Sequence, residues 1–140
     1  NLENLAPYVV ATSLRDDMVW ESANGITVQW TAMGEGCVDL PAYFDHFEKH
    51  CPGVPVHIET ISGFAREFKI YDRDFWKIFP KARAADLARF QALAKKGHRI
   101  EPFKAPAGAD KAKAEQDYQL AELDRSIRHC RDVLGLGMRC

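Results

Sequence analysis

"GVPVHIETISGF", residues 53 to 64, is the stretch on which the fold turns. A Gly/Pro turn opens into an apolar run that reads as a strand over about residues 54 to 61. Side chains alternate along a strand, so Val54, Val56, Ile58 and Thr60 share one face, and Pro55, His57, Glu59 and Ile61 share the other. The first face suits packing under a helix. The second carries a histidine and a carboxylate, and Glu59 falls near the strand's C-terminal end. A carboxylate turned toward a core is costly unless it is paired or bound to a metal; at a strand tip reached by water it costs little.

Upstream, "VDLPAYFDHFEKHCPG" (38 to 53) predicts a helix. Asp39 can cap it, Pro41 fits the first turn, and Leu40, Phe44, Phe47 and Cys51 recur at helical spacing. Pro52 and Gly53 stop it. Before it, "YVVATSL" (8 to 14) is rich in β-branched and aromatic residues and predicts a strand ending in the charged cluster Arg15, Asp16, Asp17. Residues 1 to 7 read as a helix tail or loop. Residues 17 to 36 read as a long connection holding a short β-ribbon, "ITVQWTAM", and closing on "GEG". Strand, helix, strand makes a β-α-β unit, whose two strands are expected to be parallel.

The remainder reads as helical. "DRDFWKIFP" (72 to 80) is aromatic and ends on Pro80, and "KARAADLARFQALAKKG" (81 to 97) predicts a helix stopped by Gly97. Residues 98 to 110 hold Pro102, Pro106 and Gly108 and read as a linker. A long helix is expected from 111 to about 134, with Leu120, Leu123, Ile127, Cys130 and Leu134 as an apolar stripe for a core face or a contact between copies of the chain.

The totals narrow the classes. The chain has 140 residues, 46% hydrophobic and 28% charged, with Lys+Arg 19 against Asp+Glu 20 and a formal net charge of −1. That balance calls for neither nucleic acid nor an acidic membrane surface. No apolar run approaches the roughly 20 residues of a membrane span. Cys37, Cys51, Cys130 and Cys140 form no C-x-x-C pair, which argues against a zinc ribbon and for reduced thiols in a cytoplasmic protein.

Three places could carry chemistry: Glu59 with His57; "SLRDD" (13 to 17), where Ser13 and Arg15 share a face and Arg15 offers a planar fork for oxygens; and "MGEGCVDLP" (33 to 41), where glycines precede a helix N-terminus and let backbone approach an anion. A solvated Arg–Asp turn and an ordinary loop-to-helix entry are the plain alternatives for the last two.

In this order, "SLRD" (13 to 16), "GEGCVD" (34 to 39) and "HIET" (57 to 60) resemble the last two β/α units of the xylose-isomerase-like TIM barrels, over about residues 5 to 65. The resemblance implies an α/β chain: residues 1 to 66 as the C-terminal part of a (βα)8 barrel, and 67 to 140 as a helical C-terminal extension. A whole barrel takes roughly 200 residues or more, so this chain is expected to be the C-terminal portion of a longer protein, inactive without the N-terminal part of the same barrel.

The implied function is that of a sugar (phosphate) isomerase or epimerase, with metal-assisted proton transfer through an enediolate on a small sugar or hydroxy-ketone. Glu59 would bind a divalent metal ion (Mn, Mg, Zn or Co), Arg15, Ser13 and His57 would contact substrate, and the catalytic residue stays unassigned. Ser13 stands where the family often has a metal-binding histidine. Two other classes stay open: a non-catalytic relative or assembly module with a decayed site, and a lyase, dehydratase or apurinic endonuclease on the same scaffold. No histidine lies between Asp16 and Gly34, which ranks the endonuclease below sugar chemistry.

Overall fold

The computed structural model describes residues 2–59, 61 and 63–137. Its elements run α1 (Leu2–Leu5), β1 (Thr12–Leu14), β2 (Asp16–Ser22), β3 (Gly25–Thr31), α2 (Leu40–His50), β4 (Val56–Ile58), β5 (Ala65–Phe68), α3 (Ala84–Ala94) and α4 (Lys111–Asp132). Single 3-10 segments cover Ala6–Tyr8 and Arg73–Ile78. The chain is a mixed α/β fold with two separate small sheets.

In the first sheet, β1 and β4 pair in parallel, with Ser13 opposite His57 and Leu14 opposite Ile58. The crossover helix α2 starts at Asp39, whose side chain accepts the Ala42 N–H at 3.1 Å. It buries Leu40, Phe44 and Phe47 against Met33, Cys51 and Cys130, with Leu14, Val56 and Ile58 packed on the same cluster. The apolar alternation of β4 is as the sequence predicts. Both strands are shorter than expected. Residues 6 to 8 form a 3-10 turn, and Tyr8 and Val10 are 80% and 83% exposed. An extended segment becomes a strand only where it has a ladder partner, and β4 offers three residues. Thr60, expected on the packed face, lies outside the described residues, as does Cys140. Cys37, Cys51 and Cys130 are free thiols.

The second sheet corrects the expected long connection. Residues 16 to 31 are a full antiparallel hairpin, in register from Asp16–Thr31 to Ser22–Gly25, and β5 adds antiparallel to β3. The charged "RDD" hid its start, because Asp16 is fully buried. β5 also crosses the expected boundary at residue 66, so the segment from 67 on begins within a strand. Val19, Ile26, Ile70 and Ala94 form a second core with Phe68, Phe75, Trp76 and Phe90 around it. α3 ends at Ala94, three residues before Gly97. A Cβ there would overlap the Val19 carbonyl oxygen, so the residue allows the turn after α3 to press on β2.

α4 uses part of the expected stripe: Cys130 is buried in the core and Leu134, just past the helix, packs on the same cluster. It buries Glu122, Ser126 and Cys130, while Leu120 and Ile127 are 56% and 46% exposed. Polar partners decide this: Ser126 Oγ accepts the buried Met33 N–H at 3.0 Å and donates to the Glu122 carbonyl, and Arg125 pairs with both Glu122 and Glu35. The expected linker is docked on the fold at Phe103, which stacks on Tyr118 with centroids 4.3 Å apart.

Candidate functional site

The parallel register brings the tip of β1 beside the tip of β4. The Glu59 N–H donates to the Leu14 carbonyl at 2.9 Å, carrying the ladder one residue past β4. Alternation then turns Ser13, Arg15 and Glu59 away from the core. Ser13 Oγ donates to Glu59 Oε2 at 2.8 Å, and Arg15 Nη2 pairs with Glu59 Oε1. The Arg15 guanidinium lies 5.4 Å from the Trp30 ring centroid, which steadies it by a cation–π contact. The hydrogen bonds from Arg15 and then Ser13 hold the Glu59 carboxyl below its ordinary range. The Glu59 and Arg15 side chains are 40% and 29% exposed, so the pair stays open to a ligand.

Three of the four residues expected in a site thus meet. His57 does not join them among the described residues: it is exposed, and its Nδ1 donates to the Thr12 carbonyl at 3.1 Å.

Glu59 was also expected to hold a metal. Its two oxygens are engaged by Arg15 and Ser13, and it belongs to no group of three His, Cys, Asp or Glu ligands at metal spacing among the described residues. The only such trio found there is Glu3, His46 and His50, at the α1–α2 contact. The described residues around Glu59 therefore do not make a metal site by themselves.

The glycine loop does approach an anion, but an internal one. Asp16 Oδ2 accepts the N–H groups of Gly34 and Gly36 at 2.9 and 3.0 Å, and Oδ1 accepts those of Asp17 and Val38 at 2.8 and 3.2 Å. Backbone amides gathered in a loop hold a carboxylate as they would a phosphate oxygen. The neighbouring Asp17 is half-buried; burial, with Asp16 adding, pushes its carboxyl above the usual value.

Trp30 links the Arg15–Glu59 pair to a larger concavity. Its N–H donates to the Phe64 carbonyl at 3.1 Å, and its carbonyl accepts the Gly63 N–H at 3.0 Å. Ile61, Gly63 and Phe64 form one wall of an apolar groove closed by Phe103 and Tyr118. Neither Arg15 nor Glu59 lines that groove. Sequence reading missed it because its walls are about 40 residues apart in the chain and its Phe103 lies in the supposed linker.

No helix among the described residues is long and apolar enough to cross a membrane. No known family, curated protein or solved structure matches the chain.

Proposed function

We propose that Arg15, Ser13 and Glu59 are the oxygen-binding rim of a site for a small sugar or hydroxy-ketone, in a protein of the sugar isomerase/epimerase type. The observation that carries this reading is the Arg15–Glu59 pair at the C-terminal tips of two parallel strands, where α/β folds place their ligands. Arg15 offers two or more N–H donors to a carbonyl and its neighbouring hydroxyl, and Ser13 and Glu59 hold a second hydroxyl. When a proton leaves the carbon beside a carbonyl, negative charge grows on the oxygens of the enediolate, and a fixed guanidinium stabilises it there. The base that takes the proton is unassigned. A divalent ion in this reading would share Glu59 with ligands from elsewhere in the barrel.

The barrel itself belongs to this proposal. Its support is that β1 and β4 have no further strand partner among the described residues, and that Tyr8 and Val10 beside them are exposed. Parallel sheets are almost always covered and continued, so the N-terminal part of the same barrel would pair there.

The test is ligand-detected NMR with ketoses, hydroxypyruvate and inositol-type ketones. Arg15→Met and Glu59→Gln should each weaken binding about tenfold or more, with the fold retained by circular dichroism. Absence of any binder, or equal binding by both variants, rejects the assignment.

A second reading, an assembly module, is favoured by the exposed Leu120 and Ile127 on α4. Light scattering of Leu120→Asp with Ile127→Asp should show a smaller particle than the parent chain; equal mass removes this reading.

A further inference from the structure

Helix α2 carries His46 and His50 four residues apart, which places both on one face. Their ring centroids lie 4.5 Å apart with planes tilted by 57°. The core does not use them, since α2 buries Leu40, Phe44 and Phe47 instead. The short helix α1 and the 3-10 turn after it are docked on this helix through Leu2 and Ala6, which pack on the Phe44–Phe47 cluster. That docking brings Glu3 over the histidines, with Oε1 at 3.4 Å from His46 Nε2. One ligand atom from each of Glu3, His46 and His50 lies within 4.8 Å of the others.

We infer that Glu3, His46 and His50 form a binding site for a zinc ion. Two ligands of one tetrahedral zinc ion, each about 2.0–2.1 Å from the metal, stand about 3.3 Å apart. Glu3 and His46 already have that spacing. His50 is exposed at the helix surface, so its ring can rotate to complete the trio without moving backbone. Two imidazoles and one carboxylate are donors that suit zinc, whereas calcium and magnesium take oxygen ligands throughout. Three protein ligands leave one coordination position open to water. The ion would also tie α1 to α2, because Glu3 comes from one and both histidines from the other. This site uses none of the residues of the Arg15–Glu59 pair and does not rest on the function proposed for it.

Isothermal titration of the chelator-stripped chain with Zn2+ tests this. One ion per chain is expected. His46→Asn and His50→Asn should each weaken binding about a hundredfold and Glu3→Gln about tenfold, while His98→Asn at an exposed histidine elsewhere leaves it unchanged. All three ligands lie on the surface, and far-UV circular dichroism checks that each variant is folded. Backbone amide resonances of residues 2 to 6 and 42 to 51 should shift on adding Zn2+. Absence of stoichiometric binding overturns the site, as does binding that survives the double histidine variant or is lost in His98→Asn.

Discussion

Gly36 stands against the buried carboxylate of Asp16, with its N–H 3.0 Å from Oδ2 and its missing side chain in the space that Oδ1 occupies. Three loop amides, from Gly34, Gly36 and Val38, converge on those two oxygens beside that of Asp17 and lock the entry of α2 onto the start of β2. Asp16→Asn keeps the shape but turns an NH2 group toward two N–H donors. It should cost about 3 kcal/mol, from two charge-assisted bonds lost in a dry site. Gly36→Ala should also destabilise, by overlap with Asp16. Urea melts read both, and wild-type midpoints would show that the loop does not depend on Asp16.

The Arg15–Glu59 pair makes a pH prediction. Glu59 has a folded pKa below its ordinary value of 4.5, because Arg15 and Ser13 bond its charged form. The contribution of the pair is therefore complete above about pH 4.5 and is lost as pH falls through the depressed folded value. Carbon-detected NMR should place the Glu59 titration below that of exposed glutamates, and Arg15→Met should move it upward. A Glu59 titration unaffected by Arg15→Met would mean that the pair does not form in solution.

Asp17 has the opposite sign. Burial raises its folded pKa above 3.8, so the folded chain holds the proton more tightly than the unfolded one. Stability then falls as pH rises from 3.8 through the raised folded value. Asp17→Asn removes that loss and should raise the melting temperature at neutral pH, with the gain vanishing in acid. A lower melting temperature at pH 7 would show that the carboxylate has a stabilising partner.

Helix α4 is docked by a buried hydrogen bond at Ser126 as well as by Cys130 in the core. Ser126→Ala leaves the buried Met33 N–H unsatisfied and should cost about 1–3 kcal/mol, whereas Leu120→Ala on the exposed face should change stability by less than about 0.5 kcal/mol. Chemical denaturation compares them, and a larger loss at Leu120 would place the opposite face of the helix on the core.

Local signals carried much of this. The Asp39 cap, Pro41 and the spacing of Leu40, Phe44 and Phe47 marked α2, and the alternation of Val56 and Ile58 marked the packed face of β4. The pairing of Arg15 with Glu59 was reachable because each residue ends a strand on a predictable face. The zinc trio was partly legible, since His46 and His50 are one helical turn apart, but Glu3 joins them only when α1 docks.

What the sequence by itself determined is the β-α-β unit, since helix capping, apolar periodicity and strand alternation act between residues a few positions apart. Tertiary structure alone decided the rest. Asp16 reads as a surface charge until the amides of Gly34, Gly36 and Val38 join that of Asp17 around it, and Leu120 and Ile127 read as buried until Ser126 takes the Met33 N–H and Arg125, paired with Glu122, reaches Glu35. A polar group's cost of burial depends on the hydrogen bonds that await it, and those partners are set by how the chain returns on itself.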